Sequence, residues 1–118
     1  MATCSRELEL LTVKALEEAA ACLKVMAHPV RLRIVDILMQ DELSVGEIAA
    51  ICDVQPNQVC EHLRHMQDWG LLTSERRGRS VYYKISSPRL PSLINCVRMH
   101  CGAGELTTLT RKGQDGND

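Results

Sequence analysis

The stretch "SVGEIAAICDVQPNQVCEHLRHMQDWG", Ser44 to Gly70, reads as two short helices around a tight connection. Ser44 with Glu47 three residues on is a capping box, in which the hydroxyl accepts from the Glu47 N–H and the carboxylate reaches back to the Ser44 N–H. It predicts a helix over Val45–Cys52 with Val45, Ile48 and Ala49 inside. Asp53-Val54-Gln55 is a turn. Pro56 or Asn57 opens the second helix, because a first-turn Pro lacks only an N–H that would be unpaired anyway. Val59, Leu63, Met66 and Trp69 follow at helical spacing, and Gly70 ends the run as a C-cap. Two such helices joined by a short turn are a helix-turn-helix. The residues between the apolar ones, Asn57, Gln58, Glu61, His62, Arg64 and His65, form a polar face that needs a partner or water.

Upstream, Glu7 to Val25 is Ala-rich, and Leu8, Leu11, Ala15, Ala19 and Cys22 share one helical face. His28-Pro29 breaks that helix, with His28 as a cap or turn residue. A further helix then runs over Pro29–Met39, placing Val30, Ile34, Ile37 and Leu38 inside and Arg31, Arg33 and Asp36 outside. Downstream, Leu71–Arg76 and Ser80–Ile85 read as two strands around Arg77-Gly78-Arg79, with Val81, Tyr82 and Tyr83 supplying the β preference. A last helix over Arg89–Cys101 buries Leu90, Leu93, Ile94 and Val97. Met26, Met66 and Met99 are assigned to the core. One domain over residues 1–102 and a polar, Gly-rich tail over 103–118 are expected.

The chain has 118 residues, 45% hydrophobic and 25% charged, which suits one small globular domain. There is no Phe, so Leu, Ile, Val, Met and Ala must build the core, which favours packed helices. No apolar run approaches the ~20 residues of a membrane span. Met1–Glu9 has no signal-peptide core, so a cytoplasmic location away from membranes is expected. Charge is uneven: Met1–Asp53 has nine acidic and five basic residues, a net of −4, whereas Val54–Asp118 has six and nine, a net of +3. Arg76, Arg77, Arg79 and Lys84 crowd the hairpin, a solvated face or a phosphate footprint. No Cys-x-x-Cys pair, Ser/His/Asp set or phosphate loop supports an enzyme. The six cysteines, Cys4, Cys22, Cys52, Cys60, Cys96 and Cys101, are expected as thiols in a reducing compartment.

Taken as a set, "LKVMAHPVRLRIVDIL", "ELSVGEIA", "VCEHLRHMQDWGLL" and "SERRGRSVYYKI" closely resemble the ArsR/SmtB family of bacterial repressors, over Leu23 to Ile85. The resemblance implies a mostly α winged helix-turn-helix with a two-stranded β wing. It also implies a homodimer formed by the outer helices, double-stranded operator DNA as partner, and an inducer that releases it. A helix of ~10–12 Å fits a major groove ~12 Å wide. Asn57, Gln58 and Glu61 are then the candidates for reading bases, with Gln55 just ahead of the helix. His62 lies one turn beyond Gln58, within reach of phosphate, and Arg64 and His65 either join it or stay solvated. Arg76, Arg77 and Arg79 would meet phosphate or the adjacent minor groove. Gln55-Pro56 stands where family members often carry Ser-Gln, Cys60 where Ser is usual, and Glu61 follows it. Glu accepts from a cytosine amino group and repels phosphate, so an unusual operator is expected. Cys60 is either a small replacement for Ser or an oxidisable thiol in the reading helix.

Two metal sites found in such families lack their ligands here. Ser44 and Gly46 replace a Cys-x-Cys pair, and the last helix has no acidic residue and only His100. Thiols remain. Cys96 and His100 are four apart and share a helix face, a fair pair for zinc or a softer metal. Cys101 lies about 140° around the helix from Cys96. With Cys4 it would complete the three thiolates that arsenite or a similar trivalent species needs. The same thiols could instead form a disulfide or polysulfide bridge in a redox sensor. The alternative is a constitutive winged-helix repressor with no small-molecule inducer, its cysteines packing as small apolar residues.

Overall fold

The first helix starts at Val13 rather than Glu7, because the Thr12 hydroxyl accepts from the Ala15 N–H at 3.1 Å and caps it. The computed structural model describes residues 7–100 and residue 107. Its elements are α1 (Val13–Met26), α2 (Pro29–Leu38), β1 (Leu43–Ser44), α3 (Val45–Cys52), α4 (Pro56–Asp68), β2 (Leu72–Arg77), β3 (Ser80–Ile85) and α5 (Arg89–His100). Cys4, Cys101 and, apart from residue 107, the expected tail over 103–118 lie outside the described residues. None of the described helices is long and apolar enough to cross a membrane.

Both halves of the α3 capping box form: Ser44 N–H donates to Glu47 Oε1 at 3.0 Å, and Glu47 N–H to Ser44 Oγ at 3.2 Å. Asp53 ends α3 in the left-handed region at φ 58°, which Asp tolerates better than most residues. Gly70 takes φ 74° after α4, and Gly70 N–H donates to Gln67 O while Leu71 N–H donates to Met66 O. Those two bonds are a Schellman cap, which turns the chain directly into β2. In the hairpin Arg77 pairs with Ser80, leaving a two-residue turn whose first position, Gly78, has φ 64°. A positive φ at that position alone is the type II′ pattern.

The wing is the expected two-stranded hairpin, and a third strand joins it. β1 pairs with β3 through Leu43↔Tyr83 and Ser44↔Tyr82, giving the order β1-β3-β2. Two residues cannot display a strand period, so only the fold reveals them. Met26, Ile34, Val35, Leu43, Ile48, Val59, Leu63, Met66, Leu72 and Leu90 are nearly or fully buried and form one core with Ile94.

Several outer positions depart from expectation. Met99 is 75% exposed, and Trp69 is exposed where it follows the last turn of α4. In α1 only Val25 and Met26 are buried, and Leu8 and Leu11 stand in solvent ahead of the helix. Asp36 turns inward far enough to accept from Arg98 Nη2 at 2.6 Å, pairing α2 with α5. Arg31 also turns inward, toward α4. Leu63→Ala is expected to cost about 2–5 kcal/mol by creating a cavity, and Trp69→Ala much less. Urea unfolding at fixed protein concentration checks both values.

Candidate nucleic-acid interface

Val59, Leu63 and Met66 seat α4 on the core, each with no exposed surface. At about 100° per residue they lie within roughly 60° of one another around the helix. Asn57, Gln58, Glu61, Arg64, His65 and Asp68 are all exposed and fall within about 120° on the opposite side. Thus Asn57, Gln58 and Glu61 share one open face with Arg64, and exposed Gln55 caps its start without a side-chain bond. Cys60 and His62 are half-buried on the two flanks.

His62 is not free to extend. Arg31 Nε donates to His62 Nδ1 at 3.0 Å, and the His62 ring lies 4.6 Å from that of His28. Arg31 also donates to the Val25 carbonyl at 2.8 Å and reaches His65 Nδ1 at 3.1 Å. His28 caps α2, accepting from Val30 N–H at its own Nδ1.

Arg76, Arg77 and Arg79 are all exposed on the wing, but they differ in company. Arg77 Nη2 meets Glu42 Oε1 at 2.5 Å and Glu75 Oε1 at 3.0 Å, and the guanidinium covers the Tyr82 ring at 4.7 Å. Its hydrogen bonds to the accepting carboxylates of Glu42 and Glu75 push its pKa up. Arg76 and Arg79 carry no ion pair among the described residues. Gln67 Nε2 donates to Ser74 Oγ at 3.1 Å and Ser86 Oγ to the Gly70 carbonyl at 2.8 Å, tying the wing to the end of α4. Arg31 and Glu42 were not legible as interface residues, since their partners lie 31 to 35 positions away and no local spacing marks them.

The thiols separate by place. Cys22 and Cys52 pack against the core, and burial pushes the Cys52 thiol up against the opposing pull of Arg33. Burial raises the Tyr83 pKa, and the nearby Cys60 adds to this electrostatically while Arg64 opposes it. Cys96 and His100 are exposed on α5. Among the described residues no three His, Cys, Asp or Glu side chains gather as a metal cage.

A seated helix with an open polar face, preceded by a capped helix and flanked by a basic hairpin, defines a winged helix-turn-helix DNA-binding protein. A family described as a helix-turn-helix domain matches residues 26–75. The transcriptional repressor PagR of Bacillus anthracis is 37% identical, over 70% of this chain and 83% of its own length. The transcriptional activator HlyU of Vibrio cholerae is 30% identical, over 75% of this chain and 82% of its own. A structure of reduced HlyU superposes with TM-score 0.70 at 29% identity, covering 75% of this chain and 94% of that one. The antimony-specific transcriptional repressor AntR gives TM-score 0.70 at 26% identity, over 79% and 85% of the two chains. The chain belongs to the ArsR/SmtB family of winged helix-turn-helix transcriptional regulators.

Burial, Arg31 and His28 push the His62 pKa below its ordinary 6.5; His65 adds to this and Glu61 opposes it. As pH falls below that value the unfolded chain takes up a proton before the folded one does. The stabilisation is therefore complete above the ordinary value and is lost as pH falls toward the folded value. Melting measured from about pH 7.5 to about pH 5.5 should show wild type losing ground to His62→Gln, which cannot titrate.

Proposed function

We propose that the protein is a homodimeric repressor that occupies operator DNA and is released by a thiol-mediated signal. The observation that carries the DNA part is the open face of α4, opposite its three fully buried residues. In this reading Gln55, Asn57, Gln58 and Glu61 meet base edges, Arg64 meets bases or backbone, and Arg76 and Arg79 neutralise phosphate. Arg77 steadies the wing through Glu42 and Glu75. His62 supports α4 from its flank rather than reaching phosphate directly.

Residues 1–102 would form the DNA-binding and dimerisation domain. Leu10, Leu11, Val13, Leu16 and Leu23 are exposed at and before α1, and Met99 on α5. An apolar surface of that kind needs a cover, and a second copy supplies one. Two copies then present two α4 helices to successive major grooves, ~34 Å apart.

PagR and AntR are named as repressors and HlyU as an activator. Repression requires only that DNA be occupied, and the open polar face of α4 supports that reading. For the signal, exposed Cys96 on α5 with His100 one turn on is the most open thiol site among the described residues. Cys4 and Cys101 would supply further thiolates. The related AntR is described as antimony-specific, and HlyU has a structure described as the reduced form. Three thiolates suit a trivalent arsenic or antimony species, two a disulfide or polysulfide bridge, and Cys96 with His100 zinc.

A gel-shift series on the DNA upstream of its own gene tests the whole reading. Arg79→Ala should weaken binding to all duplexes and lower the slope of log K against log salt by about one. An unchanged slope removes the wing from the interface. Cys96→Ser should raise severalfold the antimonite, arsenite or polysulfide needed for release. If that variant responds like wild type to all three, the thiol signal fails at Cys96 and the constitutive repressor gains.

A further inference from the structure

Arg31 joins three parts of the structure at one guanidinium. It donates to the Val25 carbonyl in the last turn of α1, to His62 Nδ1 on α4, and meets His65 Nδ1 one turn beyond. His28 closes the cluster, its ring 4.6 Å from His62 and tilted by 60°, with its Nδ1 occupied by the Val30 N–H. A guanidinium has only donors. Whichever imidazole nitrogen faces it must therefore offer a lone pair, so the Arg31 contact holds His62 neutral, with its proton on the far nitrogen. A second proton on His62 would set donor against donor and cation against cation.

We propose that Arg31 is a positioning residue for DNA reading, holding α4 in register only while His62 is neutral, so that acidification lowers discrimination between operator and other DNA. The charged and titratable groups facing His62 are Arg31 and His28 from the α2 side and Glu61 and His65 on α4 itself. Only Glu61 favours protonation, and it stands in solvent. When His62 takes a proton it can no longer accept from Arg31, and the bridge from the Val25 carbonyl through Arg31 to His62 is broken.

The sign separates this device from ordinary surface histidines. Added positive charge strengthens binding to every duplex alike, through phosphate. Loss of register instead costs operator binding specifically, so the ratio of operator to non-specific affinity falls. The inference rests on the operator reading above, but its first measurement does not. Histidine side-chain 15N correlation spectra of the full chain, titrated with acid, should show His62 with the proton on Nε2. The His62 midpoint should lie below that in Arg31→Gln. A proton on the His62 nitrogen facing Arg31, or a midpoint that Arg31→Gln leaves unmoved, would overturn the proposal.

The second measurement is affinity for the upstream DNA and for a scrambled duplex at constant salt, at about pH 7.5 and about pH 5.8. The wild-type ratio should fall about fivefold or more, the lower range of coupling between sites. His62→Gln keeps an acceptor for Arg31 without titrating, and should hold the high ratio at both pH values. Arg31→Gln should start lower and stay flat. A wild-type ratio constant with pH overturns the inference while leaving operator binding intact. A protein that never distinguishes the two duplexes overturns both.

Discussion

The rotation of α4 about its own axis is the constraint on which the interface depends. Val59, Leu63 and Met66 are all fully buried, so there is one orientation that satisfies them together. Turning the helix by a single residue, about 100°, would drive the Gln58 side toward the core and lift Leu63 toward water. Burying such polar groups without partners costs several kcal/mol. The ends are fixed as firmly, by Pro56 at the first helical position and the Gly70 Schellman cap. What faces outward follows from what is held inside. Asn57, Gln58, Glu61 and Arg64 are presented because three apolar neighbours leave them nowhere else to go.

The wing inherits its place from α4. β2 begins within two residues of Gly70, and the Gln67–Ser74 and Ser86–Gly70 bonds keep the hairpin root against that helix. At the far end, Arg77 is held by Glu42, Glu75 and the Tyr82 ring. Each exposed ion pair is individually worth little. Their use here is geometric: Glu42 directly precedes β1, so the contact pins the hairpin to the sheet's third strand. The positive charge of the second half of the chain is thereby divided. Arg77 is spent internally, whereas Arg76 and Arg79 remain without an ion pair among the described residues.

The helix-turn-helix was legible because its signals are local. The Ser44–Glu47 box, Pro56 and Gly70 each act within a few residues of themselves, and they place α3 and α4 to within a residue. The start of α1 was harder, since the apolar spacing continues back through Leu11 and Leu8 while Thr12 takes over the cap. β1 is too short to have a period. Met99 was misassigned because apolar character alone does not say whether a helix face meets the core or lies beyond it. Charge alone points Arg31 and Asp36 to solvent, and only the arrival of α4 and α5 shows otherwise. Of the proposed DNA contacts, exposure on α4 was readable from the buried period. The internal pairing of Arg77 and the clasp on His62 were not, because both bring together residues about thirty positions apart.

These long-range pairs give α2 a position of consequence. Asp36, near its end, is held by Arg98 of α5, and Arg31, near its start, holds His62 and His65 of α4. The two charged contacts are five residues apart on one short helix, itself buried through Ile34, Val35 and Leu38. A signal received on α5 can alter DNA affinity only if it favours one arrangement of α4 over another, and the coupling must then be felt equally in the reverse direction. α2, buried through Ile34, Val35 and Leu38 and hydrogen-bonded to α4 near one end and to α5 near the other, is the element through which such a displacement would pass. Its two grips differ in kind. The Arg98–Asp36 pair joins opposite charges, whereas Arg31 bonds at His62 to an imidazole nitrogen that must offer a lone pair. The end of α2 that meets α4 therefore rests on a neutral acceptor, and the end that meets α5 on an opposite charge.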